Sequence, residues 1–118
     1  MRVIRIVPNL KMNSSEDSQG FYAGFLGLDV GMDMEWIVTF VSATDPTAQL
    51  STLTLDASAP VMPDVSVEVD DVDALHAEAL RRGLPIVYPL TDEPWGVRRF
   101  FVQDPNGYVI NCLMHKST

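Results

Sequence analysis

Residues 64–83, DVSVEVDDVDALHAEALRRG, decide the fold. Val65, Val67 and Val69 alternate with Asp64, Ser66, Glu68 and Asp70, the period of a strand that lays one face on a core. At Asp70 or Asp71 the period lengthens. An aspartate caps a helix there, Val72, Leu75, Ala79 and Leu80 form its apolar stripe, and Gly83 ends it. Three short strands follow, about 85–90, about 97–103 (VRRFFVQ) and about 108–114 (YVINCLM). The DPNG turn from Asp104 to Gly107 joins the last two.

The same order occurs once before it. Residues 2–8, RVIRIVP, are rich in β-branched side chains and read as a strand. Ser14 or Ser15 caps a helix with Glu16 and Asp17 near its positive end. Phe21, Tyr22, Phe25 and Leu26 share one face of that helix, and Gly27 ends it. Strands are expected at about 28–34, 36–42 (WIVTFVS) and 48–55 (AQLSTLTL), with Asp45–Pro46 turning the last hairpin. Residues 57–63, ASAPVMP, carry Pro60 and Pro63 without periodicity and read as a linker. The expected fold is therefore α+β: one domain of two βαβββ modules in tandem, 1–56 and 64–118, each a curved mixed sheet with one helix.

Composition narrows the function classes. The 118 residues are 47% hydrophobic and 20% charged, a globular mixture with no apolar run near the roughly 20 residues of a membrane span. The opening residues do not read as a signal peptide. A single cysteine, Cys112, rules out an internal disulfide framework and a thiolate-rich metal site, so a reducing cytoplasm is the expected location. The net charge of −8 repels phosphate backbones and favours a cationic ligand. Neither nucleic acid nor membrane is an expected partner.

FYAGFLGLDV (21–30), VEVDDVDALHAEALRRG (67–83) and PWGVRRFFVQDPNGYVIN (94–111) resemble the vicinal oxygen chelate superfamily. That superfamily includes glyoxalase I, extradiol dioxygenases, fosfomycin-resistance enzymes and bleomycin-resistance proteins. The resemblance implies modules that curl into half-barrels and pair around a cleft, and a homodimer for a chain this short. It also implies a divalent metal held by His, Glu or Gln on the first and last strands of each module. The corresponding positions are Val7 or Pro8, one of Thr52, Leu53, Thr54 and Leu55, then Asp64, and then Asn111. Only Asp64 is a good ligand, so no metal and no cofactor are expected. His76 reads as a solvent-side helix residue and His115 as part of a frayed tail, without ligand spacing between them. Cys112 alternates with Asn111 and is expected beneath the helix.

Alternation then sorts the second module's side chains. With Asn111 in the cleft, Val109 and Leu113 join it, while Tyr108, Ile110 and Cys112 turn to the helix. The family pattern adds Arg99, Phe101 and Gln103, leaving Phe100 and Val102 in the core. Asp64, Ser66 and Glu68 face the same way, and the two carboxylates either attract a cation or face water. Trp36, Phe40, Tyr88 and Trp95 are the aromatics available to stack on a planar ligand or hold a cation. The expected ligand-binding set is thus Trp36, Phe40, Asp64, Glu68, Tyr88, Trp95, Arg99, Phe101, Gln103 and Asn111, with no catalytic residue. Resemblance and residues together favour a metal-free protein that sequesters a bulky, partly planar antibiotic or natural product, similar to the bleomycin-resistance branch. The alternative is a metal-dependent glyoxalase-like lyase, isomerase or dioxygenase using Asp64 and Asn111. A regulatory scaffold whose cleft is filled by its own side chains is a third reading.

Overall fold

The computed structural model describes residues 1–116. The chain divides into two compact units, Val7–Met62 on one hand and Met1–Ile6 with the chain from Pro63 onward on the other. Its elements are β1 (Val3–Lys11), α1 (Ser15–Gln19), a π-helical turn (Gly20–Phe25), β2 (Asp29–Asp33), β3 (Ile37–Val41) and β4 (Gln49–Leu53). They are followed by β5 (Val65–Val69), α2 (Val72–Arg81), β6 (Ile86–Glu93), β7 (Val97–Gln103) and β8 (Val109–His115). This is the α+β, two-module βαβββ order expected from the sequence.

In the Val7–Met62 unit the strand order is β2-β3-β4-β1. The β2–β3 and β3–β4 pairs are antiparallel, and β4 runs parallel to β1 with Ser51 opposite Asn9. Met12, Val38 and Phe40 form its core against Tyr22, Ala23, Leu28 and Leu50. Ser14 caps α1, its Oγ accepting from the Asp17 N–H at 3.1 Å. The helix then widens: Leu26 N–H donates to the Phe21 carbonyl at 3.0 Å, five residues back instead of four. That wider turn corrects the expected apolar face. Tyr22 turns inward, its ring 5.2 Å from Phe40, whereas Phe21, Phe25 and Leu26 are exposed.

The other unit begins with the start of β1, where Asp70 N–H donates to the Arg2 carbonyl at 3.1 Å. Within it β5 runs parallel to β8, and β8, β7 and β6 follow as antiparallel neighbours. Asp71 caps α2, its Oδ1 accepting from Ala74 N–H at 3.0 Å, and Gly83 follows the helix at a φ of 67° that an L side chain resists. Val69, Val72, Ala79, Phe100 and Cys112 form the core, with Leu75, Ile86, Leu90, Val102 and Ile110 packed around them.

At about 100° per residue, Leu80 falls roughly 80° from Val72 while His76 falls about 40° from it. The structure follows that geometry. Leu80 is exposed, and His76 sets its ring edge-on to Phe100 at 4.9 Å, so the expected roles of these two residues are reversed. Tyr108, expected beneath the helix, is also exposed.

Candidate functional site

The face of β5, β8, β7 and β6 that turns away from α2 carries the candidate site. Phe100, Val102, Ile110 and Cys112 are on the helix side, so alternation sends Arg99, Phe101, Asn111 and Leu113 to the other. Burial pushes the Cys112 thiol up to about 11, an inert thiol under the helix as expected. Cross-strand register arranges the opposite face in two rows. One runs Ser66, Asn111, Phe101, Tyr88, and the next runs Glu68, Leu113, Arg99, Thr91.

Strict alternation would place Tyr88 and Glu93 on opposite faces. Between them β6 carries an extra residue: Tyr88 pairs with Phe101 and Thr91 with Arg99, three positions of β6 against two of β7. The bulge brings Glu93 onto the face with Tyr88, and this carboxylate escaped the sequence reading for that reason. Glu93 Oε2 accepts from Arg99 Nε at 2.6 Å, with both side chains nearly inaccessible to solvent. Tyr88 donates its hydroxyl to the same carboxylate at 3.2 Å. The Arg99 guanidinium lies 4.8 Å from the Phe101 ring centroid and 5.3 Å from those of Tyr88 and Trp95, within cation–π range of all three.

A second ionic group lies along the other row. Glu68 accepts from Arg5 Nε at 2.5 Å and meets His115 Nδ1 at 2.8 Å. Burial alone would raise its carboxyl, but the hydrogen bonds from His115 and Arg5 outweigh it and hold the group below the usual range. His115 is therefore part of β8 and bonded to Glu68, not part of a frayed tail. Arg5 had no signal in the sequence beyond its place in the first strand. Asn111 is buried, its Nδ2 donating to Ser66 Oγ at 3.0 Å, while its Oδ1 has no hydrogen-bond partner.

Of the expected set, the structure gathers Glu68, Tyr88, Trp95, Arg99, Phe101 and Asn111 on this unit's face. Asp64 and Gln103 sit at its far end in structural bonds. The Asp64 carboxylate accepts the Val109 N–H at 2.8 Å, and Gln103 Nε2 donates to the Gly107 carbonyl at 3.3 Å. Phe40 is a correction: it lies wholly buried in the core of the Val7–Met62 unit, on the helix side of β3. Trp36, half-buried just before β3, belongs to that unit as well. The same unit has a recess of about 270 Å³ lined by Leu10, Met12, Phe21, Tyr22 and Thr52 among others, and no expected residue lines it.

The Glyoxalase/Bleomycin resistance protein/Dioxygenase superfamily matches residues 9–112, and the chain belongs to it. Solved structures share the fold at low identity. That of an NAD-dependent benzaldehyde dehydrogenase from Legionella pneumophila has a TM-score of 0.75 at 18% identity, covering 94% of this chain and 99% of its own. A member of the superfamily from Vibrio splendidus has a TM-score of 0.70 at 21% identity, covering 97% and 99%. A methylmalonyl-CoA epimerase variant from Streptomyces coelicolor, complexed with 2-nitronate-propionyl-CoA, has a TM-score of 0.72 at 18% identity, covering 98% and 100%. No curated protein matches the sequence.

The metal that the family's enzymes hold can be tested against these donors. Val7 is apolar, Thr52 donates its hydroxyl to the Met12 sulfur at 3.1 Å, Leu53 is a buried apolar side chain, and Asp64 is bound to a backbone N–H. Among the described residues, no group of three His, Cys, Asp or Glu side chains could hold a metal ion. Glu68 and His115 supply two donors, with the Arg5 guanidinium against one of them. The residues do not fit a divalent metal.

Proposed function

We propose that this chain is a small-molecule binding protein that seats a bulky, partly planar antibiotic or natural product on the face of Tyr88, Trp95, Arg99 and Asn111. The observation that carries the reading is the buried Arg99–Glu93 pair braced by Tyr88, Trp95 and Phe101. It holds the aromatic side chains in place before a ligand arrives, and capture by stacking and shape requires no reactive group. Tyr88 and Trp95, half-buried, are the rings with surface left for a ligand.

A metal-dependent isomerase or dioxygenase has less support, because the donor chemistry at the family's ligand positions is wrong for the ion. The reading also takes the protein as a homodimer, which would cover the exposed Val3, Ile4 and Ile6 of β1. The test is a tryptophan fluorescence titration with a panel of planar antibiotics and natural products. Saturable quenching that is lost in Trp95→Phe but kept in Trp36→Phe is the expected result. A flat response to the whole panel overturns the reading.

A further inference from the structure

We infer that Asn111 imposes a chemical requirement on the ligand: a planar molecule must present an N–H or O–H donor at its edge to bind tightly. The inference rests on the binding reading above and narrows its ligand class. Asn111 is only 6% exposed. Its Nδ2 donates to Ser66 Oγ at 3.0 Å, a bond that fixes the amide plane, and the carbonyl oxygen at the other end is left unmet. A buried acceptor without a donor costs free energy that folded proteins rarely leave unrecovered, so the group calls for an explanation.

Its neighbours on the face do not supply a donor. Arg99 Nε is directed to Glu93, His115 Nδ1 to Glu68, and Leu113 and Phe101 are apolar. Register places Asn111 between Ser66 and Phe101 in the row that ends at Tyr88, so the unmet oxygen and the aromatic wall share one line across the strands. Both guanidinium groups on this face already face a carboxylate, Arg5 with Glu68 and Arg99 with Glu93. The selection is therefore for a donor and not for a net charge. A site with such an unmet acceptor discriminates strongly against an analogue that lacks the donor, whereas a stacking surface alone does not.

Two isosteric probes separate these cases: 2-naphthamide and 2-acetonaphthone, which differ by an amide NH2 in place of a methyl group. Dissociation constants from tryptophan quenching should favour the amide by about tenfold, the factor that 1.4 kcal/mol represents. Asn111→Leu should bring the ratio near one, while Asn111→Asp, which keeps an acceptor oxygen, should preserve the preference. If Asn111→Leu does not fold, the wild-type ratio and Asn111→Asp still decide. Equal affinities in the wild type, or a preference that survives in folded Asn111→Leu, overturn the donor requirement and leave the binding reading standing. A crystal structure with the amide bound and an ordered water still on Oδ1 overturns it too. Failure of both probes to bind overturns the requirement together with planar-aromatic binding.

Discussion

The two βαβββ copies have diverged in opposite directions. The second presents ionic and aromatic chemistry on its open sheet face: Arg99 with Glu93, Glu68 with Arg5 and His115, and the unmet Asn111 oxygen. The middle of the corresponding face of the first is small and neutral. Asn9, Ser51 and Thr39 lie across from one another, with the Thr39 and Ser51 hydroxyls 2.7 Å apart. Their helices differ as well. The second copy's is a regular ten-residue helix with Val72 and Ala79 buried, whereas the first copy's breaks after five residues into a π turn that exposes Phe21 and Phe25. A repeated fold thus constrains the strand frame and the core, while each sheet face and helix surface changes independently.

Substitutions in matched places can break that contrast, the largest at Glu93. Glu93→Ala leaves the Arg99 guanidinium buried without its carboxylate and should cost about 3–5 kcal/mol in urea unfolding. Removing both partners on the other copy's face, Thr39→Val with Ser51→Ala, should cost less than about 1 kcal/mol. Equal losses would show that the two faces are energetically alike.

Glu68 is more accessible, and its effect is expected to be smaller and pH-dependent. Its carboxyl titrates below the ordinary 4.5 in the folded chain, so its stabilising contribution is present above that value and is lost as pH falls through the folded one. The melting-temperature gap between wild type and Glu68→Gln should be full at pH 7 and close on acidification below pH 4.5. A gap that stays constant down to pH 3 would contradict this. Asp71→Ala removes the cap of α2 and should cost about 1 kcal/mol. Phe25→Ser, on the exposed π turn, should move stability by no more than about 0.5 kcal/mol in denaturant titration, despite exchanging an aromatic ring for a hydroxyl.

Much of the frame was legible because periodicity reports directly on which face is buried. The alternating valines of 65–69, the caps at Ser14 and Asp71, and the helix ends at Gly27 and Gly83 all depend on local physics. What could not be read depends on irregularity or on distant partners. The π turn reassigns Tyr22 and Phe21, and no spacing in GFYAGF announces it. The β6 bulge carried Glu93 to the site face against its parity with Tyr88. Asp64 had the right parity for a ligand, yet its carboxylate closes onto Val109 N–H, a bond made across 45 residues of chain. Phe40 followed its strand's alternation correctly, but parity alone could not tell the helix side of β3 from the open side.

The bulge in β6 also has a genetic consequence. From Tyr88 onward, strict alternation is restored by losing one residue between Tyr88 and Thr91, for instance the exposed Pro89. Such a single-codon deletion leaves Tyr88 and Glu93 four residues apart and so keeps them on one face, whereas loss of the exposed Asp92, beyond the bulge, turns Glu93 to the opposite side of the strand and leaves Arg99 to find another counter-ion. An edge strand tolerates that change better than a central one, since only one neighbour must accept the new register. The charge and polarity of this face can therefore change in whole-residue steps along β6, by insertion or deletion, as well as by point substitution.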